Sequence, residues 1–427
     1  MHKTCASTAD TSTEFYDAKT RFNSEICPLT GNALNPDRRE RKSGMHGRNE
    51  MSRVKSMIGA TTGIVLCLFA GTASSAELVI AAMPDITGTN AGIGSRISKG
   101  FQLAAEPINE SKMLGNDTLK FIMEDSATEK GQAVTLMNRF VLRDKALLVI
   151  GPAASPVAMA VSPLANEMKT PFMSAGYNDA VLDAGPWTLK FPENSEDHGE
   201  GLVKYAVEKL KPKRCFFVYS HDNIGYVDQF KVFSKGVIAG GAANVGEATV
   251  VAADTDFSVI ATRIAAAQPD CLHVAMSAEG GANVILQARQ AGMSANTKLF
   301  GGASQASAEY IRSSGPAGDG IMVFSDYTPG GLNAEGKKFE EAYLAKYKEP
   351  ADNWATVGYA LMMHVGWGLK ASQPNVTKEK LLEVMTKAKD VPTIIGATGK
   401  YSLNAQRQPK YGATVVMVKG GKIISAP

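Results

Sequence analysis

From Glu77 onward, short apolar runs alternate with amphipathic or alanine-rich runs, a rhythm that restricts the chain to βαβ units and parallel sheets. LVIAAM leads to a helix expected over 94–108, LKFIMED to one over 131–142, and LLVIG to a third beginning near Ser155, after which PFMSAG closes the group. RCFFVYS, GEATVVA, CLHVAM and KLFGGA repeat the pattern, with helices expected over 226–239, 257–267 and 281–291. An amphipathic segment with Phe339, Tyr343 and Tyr347, and an apolar one from Trp354 to Leu369, have the period to pack on the first sheet. A last strand is expected over 413–419. The fold class is therefore α/β, with two doubly wound parallel-sheet lobes that exchange segments. Crossings near Pro192, near Ser325 and just before the last strand make a three-segment hinge; the lobes take 77–192 with 326–405, and 193–325 with 406–427.

The first fifty residues are polar and aperiodic, and are read as a disordered extension or as sequence upstream of the true start at Met51. Residues 51–76 have the three parts of a secretory signal: Arg53 and Lys55, an apolar run from Ile58 to Ala70, and small residues ending at Ala76, where cleavage is expected. That run is too short and too rich in Gly and Thr to span a ~30 Å hydrocarbon layer. An exported chain of roughly 350 residues remains, large enough for two cores. The formal charge of +3 is small, and basic residues are interspersed with acidic ones, so no nucleic-acid partner is expected. Cys215 and Cys271 each open an apolar run on what should be neighbouring parallel strands, and buried free thiols are expected there, with a disulfide in the oxidising setting of an exported chain as the alternative.

Between Leu147 and Val181 two strand ends meet, the first followed by Ser155-Pro156 and the second by Ser174-Ala175-Gly176. Crevices outside the carboxyl ends of strands are where α/β proteins hold small ligands. Ser155 is expected to cap the helix beginning at Pro156, whose N–H groups and positive dipole end would form a socket for an anion. Tyr177, Tyr226 and Tyr327 also fall in strand-end loops, where a ligand's apolar body would be gripped. Gly88 to Gly94 has neither dinucleotide nor P-loop spacing and is read as a glycine-permissive turn. Ser155 lacks a G-x-S-x-G elbow, His198, His221, His273 and His364 adjoin no Ser-Asp pair, and metal-ligand spacings are absent. Neither catalysis nor a cofactor or metal is expected, and His273 reads as a core histidine bonded to a neighbour.

In the order ELVIAAMPDITG, VIGPAAS, TPFMSAGYN, LKFPENSEDHGEGLVKYAVEKLKPKR and VILQARQAGM, the chain resembles the periplasmic leucine/isoleucine/valine-binding protein family, the type I solute-binding proteins of ABC importers. The resemblance implies a periplasmic protein that closes on a small carboxylate or amino-acid ligand and delivers it to an inner-membrane permease. A sensory protein of the same fold, signalling to a chemoreceptor or kinase, is the alternative. It also implies that Ser155, Gly176 and Asn178 hold the ligand's carboxylate, with Ala154 beside them. The family's aromatic wall falls near Ile93, Ile224 and Ser277, so that wall has been rebuilt. Where amino-acid binders place a glutamate against the ammonium, this chain has Ala303, followed by Ser304 and Gln305. Unless Glu279 or Asp326 swings in, a carboxylate with an uncharged body, aromatic or branched aliphatic, or a neutral amide is the better ligand. The family's first-lobe disulfide is missing, since its positions carry Ala127 and Ala154.

Overall fold

The computed structural model describes residues 75–427; the extension over 1–50 and all but the last two residues of the leader over 51–76 lie outside the described residues. β1 (Glu77–Ala82), α1 (Ala91–Glu110), β2 (Thr118–Met123), α2 (Lys130–Leu142), β3 (Leu148–Ile150), α3 (Ser155–Glu167), β4 (Phe172–Ser174) and β5 (Thr188–Lys190) build a parallel sheet in the order β2-β1-β3-β4-β5. Period-two alternation in β1 serves both faces. Leu78, Ile80 and Ala82 join Ile97 and Phe101 of α1, whereas Ala81 lies with Leu136 of α2 and Val161 of α3.

The chain then crosses into α4 (Ser195–Tyr205), β6 (Arg214–Ser220), α5 (Ile224–Ala239), β7 (Ala243–Val250), α6 (Ser258–Ala267), β8 (Cys271–Ala275), α7 (Ala278–Gln290), β9 (Lys298–Gly301), α8 (Ala308–Ser314) and β10 (Met322–Ser325). A second crossing leads to α9 (Ala334–Tyr347), α10 (Asn353–Ala371) and α11 (Lys378–Thr386). There follow three short strands, β11 (Val391–Pro392), β12 (Lys400–Leu403) and β13 (Pro409–Lys410), which form a small antiparallel sheet. A third crossing brings in β14 (Thr414–Lys419) and β15 (Lys422–Ser425), which extend the second sheet antiparallel at its edge, giving β15-β14-β10-β9-β8-β6-β7. α10 lies across α1, where Gly358 would set a Cβ 2.4 Å from the Ile97 carbonyl oxygen.

Cys215 and Cys271 are not free thiols. They face each other in the β6–β8 register with Cα atoms 4.4 Å apart and form a disulfide. Direct opposition in register supplies the closeness that parallel strands usually lack.

All three crossings meet in one buried polar knot. Asp326, fully buried at the second crossing, accepts a 2.5 Å bond from Tyr177 Oη and another from Tyr411 Oη at the third, with His198 Nε2 of α4 at 3.1 Å. Glu193, at the first crossing, accepts from the N–H groups of Tyr411 and Gly412. Burial favours protonation of Asp326, but His198 and the two tyrosine hydroxyls outweigh it and hold its carboxyl below the usual range. Bonds this enclosed fix how the segments enter and leave the two sheets.

Candidate functional site

The first sheet reverses its winding between β1 and β3, and the second does so between β6 and β8. Ligands in open α/β sheets bind outside strand carboxyl ends at such points. Here the two points face each other across a cavity of about 180 Å³. Thr89 and Asn90 after β1, Thr128 and Lys130 after β2, and Ala154, Pro156 and Val157 after β3 form one wall. Asp222, Asn223 and Tyr226 after β6, Ala252 after β7, and Ser277 after β8 form the other.

Asp85, fully buried just after β1, organises the first wall. Its carboxylate accepts from Asn90 Nδ2, Ser126 Oγ and the N–H groups of Ala153 and Ala154, joining the loops after β1, β2 and β3. Burial raises its pKa, and those four bonds offset the rise in part. With the loop amides served from below, the helix begins at Ser155 and Ala154 is its N-cap, so Ser155 does not cap α3 as expected. No cap bond occupies its hydroxyl. Ser155 remains buried, at 5 % exposure. Gly176 must be glycine, because a Cβ there would stand 2.7 Å from Ala153 O and 2.9 Å from Ser155 Oγ. A Cβ on Gly225, at the start of α5, would come within 3.6 Å of the same hydroxyl, so the second lobe closes directly over Ser155.

The second wall is held by local caps. Asn223 accepts from Gly225 N at 2.9 Å and Ser277 from Gly280 N at 3.1 Å. Asp222 is anchored by Ser220 Oγ at 2.7 Å and Ala252 N at 2.9 Å. Tyr226 Oη lies 3.3 Å from Ser304 Oγ, and burial pushes its pKa up to about 12.

Of the residues nominated from sequence, Ala154, Tyr226 and Ser277 line this cavity, and Ser155 and Gly176 adjoin it. Others lie elsewhere. Tyr177 is in the hinge knot because its buried hydroxyl requires the Asp326 acceptor, and that same bond prevents Asp326 from swinging toward a ligand. Tyr327 turns to Glu340 of α9 at 2.6 Å. Ile93 is packed in the first-lobe core, and Ile224 is 37 % exposed at the start of α5. Ala303 is fully buried, with Ser304 behind Tyr226. Asn178 donates to Asp228 Oδ2 of α5 at 2.5 Å, bridging the lobes. His273 stacks on Phe233 at 4.4 Å, and its Nδ1 lacks the neighbour expected for it. Sequence reasoning missed Asp85, although it stands three residues after β1, and Lys130, the first residue of α2.

A wider groove of about 1570 Å³ runs along α4, α5 and residues 405–408 and shares no lining residue with the cavity. Its walls carry exposed Glu200, Lys204, Glu208 and Lys231, and although residues 177–179 after β4 reach it, it lies at neither switch point, so the smaller cavity between the facing switch points is the better ligand site. Among the described residues no cluster of side chains is arranged to hold a metal ion, and no helix is long and apolar enough to cross a membrane.

Two α/β lobes closed over a cavity at their facing switch points are the architecture of a solute-binding protein. A family model of periplasmic binding proteins matches residues 77–422, and the chain belongs to that family. It is 26 % identical over 344 residues to the Leu/Ile/Val-binding protein BraC3 of Rhizobium johnstonii, covering 79 % of this chain and 90 % of that one. It is 24 % identical over 337 residues to the Leu/Ile/Val-binding protein of Escherichia coli, covering 78 % and 89 %. Among solved structures, a leucine-binding protein from Thermotoga maritima superposes with a TM-score of 0.74 at 22 % identity, covering 82 % of this chain and 98 % of that one. An ABC-transporter solute-binding protein from R. palustris in complex with benzoate gives 0.73 at 24 % identity, covering 82 % and 95 %.

Proposed function

We propose that this protein captures a small carboxylate-bearing solute in the periplasm, closing 77–192 with 326–405 onto 193–325 with 406–427, and presents the closed form to an inner-membrane ABC permease. The observation that carries this reading is the cavity walled by loops from both sheets. Contacts made by both walls exist only when the lobes are together, so a ligand shifts the population toward closure. Ser155, with Gly176 beside it, offers the first-wall donors for the carboxylate, and Ala154, Tyr226 and Ser277 enclose the rest. The names of relatives span branched-chain amino acids and benzoate, which share a carboxylate and little else.

Thermal unfolding of the purified protein against amino acids, aromatic and aliphatic acids and amides tests the proposal, since a ligand at 100 times its Kd adds about 2.7 kcal/mol to the bound form. One class should raise the Tm, with a matching fall in radius of gyration by small-angle scattering. Stabilisation without compaction would refute capture by closure.

A further inference from the structure

Three residues after β4 carry polar contacts to every crossing of the hinge. Tyr177 Oη donates to Asp326 at the second crossing, and Asn178 donates to Asp228 of α5 across the cleft. Asp179 Oδ2 accepts from Asn194 Nδ2 at 2.7 Å, where the chain first crosses, and from Gln408 Nε2 at 2.8 Å, shortly before it crosses for the third time. Asn194 also caps α4, its Oδ1 accepting from Asp197 N at 2.8 Å. Behind this loop stands Lys190, the last residue of β5, fully buried. Its Nζ donates to Tyr177 O at 2.8 Å and lies 2.5 Å from Asp179 Oδ1. One ammonium therefore pins the chain on both sides of Asn178. Burial lowers the pKa of Lys190, and Asp179, ahead of Asp197 and Glu193, opposes that fall.

We infer that Lys190 is a positioning residue for the ligand site: it holds residues 177–179 so that Gly176 stays against Ser155 and Asn178 faces Asp228, while Asp179 ties that shape to α4 through Asn194. This rests on the solute-binding reading above. The loop has little else to fix it, since Gly176 N finds only Ser174 Oγ, at 3.1 Å, and Ala180 N the side chain of Asn178, at 2.9 Å. Without the ammonium the buried carbonyl of Tyr177 loses its donor, and Asp179 loses its paired charge. α4 belongs to the second lobe and Asp179 to the first, so a swing of the lobes bears on the Asn194–Asp179 bond and through it on the loop beside Ser155. The charge pair thus links the hinge to the donors that the ligand meets.

Amide hydrogen exchange on the protein without solute tests the inference. The reporting amides are Gly176 and Ala180 in the loop and Asp197 at the start of α4; Val149 and Phe172, bonded to Pro171 O and Trp187 O within the sheet, are the reference. Lys190→Met should speed exchange at Gly176 and Ala180 about tenfold or more and leave Val149 and Phe172 unchanged. Asp179→Asn, which keeps the side chain's shape and removes its charge, should loosen the same two amides and Asp197 as well, and it carries the test if Lys190→Met does not fold. In the double variant the effects on the loop should fall short of their product, because both changes remove one contact. Wild-type exchange at Gly176 and Ala180 in Asp179→Asn overturns the inference. So does faster exchange spread evenly over Val149 and Phe172, the mark of a lysine that only supports the sheet. Capture by closure stands or falls separately, on compaction with a solute, and these rates are taken without one.

Discussion

At Ser155 the local sequence located the hydroxyl and misjudged its task. A helix-start serine is ordinarily a cap, but Asp85, nearly seventy positions earlier, supplies the loop amides, and that long-range bond is invisible to local pattern. The freed hydroxyl makes Ser155→Ala a test of binding more than of folding. Affinity for the carboxylate ligand should fall by about 1.5–3 kcal/mol, the worth of one hydrogen bond to a charged group, with the unfolding midpoint of the unliganded protein almost unchanged. Buried histidines give a second prediction. Burial depresses His273 and His364 from 6.5 to about 3. The unfolded chain therefore binds protons that the folded one refuses, so stability is complete above pH 6.5 and is lost as pH falls toward 3. Between pH 6.5 and 5 each histidine should remove about 1.5 kcal/mol, read from urea midpoints, and His273→Phe with His364→Phe should flatten the slope. The buried apolar setting of His273 was legible in CLHVAM; its missing partner at Nδ1 was not, because sequence does not show what faces a ring.

Elements were read more reliably than residues, since strand and helix periods are local. RCFFVYS is β6 residue for residue, and α1 begins at Ala91, three positions ahead of the helix expected from 94. β5, the 391–410 sheet and β15 were not foreseen, being strands of two to four residues, too short for a period to show, although β15 folds back on β14 directly through Gly420–Gly421. A different limit applied to Cys215 and Cys271, whose register across β6 and β8 is set by the whole sheet. Packing of α1 on α10 gives a prediction at this scale. Gly358→Ala would gain about 1 kcal/mol of helix propensity, but its Cβ meets the α1 backbone at 2.4 Å, and overpacking against backbone costs about 1–3 kcal/mol. Overpacking should win, lowering the urea midpoint. Gly131→Ala in α2, with nothing within 4 Å, should leave it level or raise it.

Over the whole molecule, the alternation of strands and helices foretold two sheets with three crossings, whereas the means of holding the lobes together emerged only in three dimensions. Asn178 illustrates the difference. The family resemblance implied that it holds the ligand's carboxylate, and in the structure its amide donates across the cleft to Asp228. Burial raises the Asp228 carboxyl, the neighbouring charges of Asp179 and Glu196 add to the rise, and Asn178 and Lys231 oppose it. A bond that spans the two lobes can form only while they are together, so it bears on the closing equilibrium. Removing it leaves a half-buried acceptor without its donor, and Asn178→Ala should weaken ligand binding by about 1–3 kcal/mol, chiefly through faster release. Asp228→Ala should do much the same. In the double variant the losses should fall short of their sum by about 0.5–3 kcal/mol, the signature of two groups serving one contact. A direct contact between Asn178 and the ligand would instead make the two losses additive, with release faster in Asn178→Ala alone. Stopped-flow release rates for the four proteins decide between a latch spanning the cleft and a residue of the binding wall.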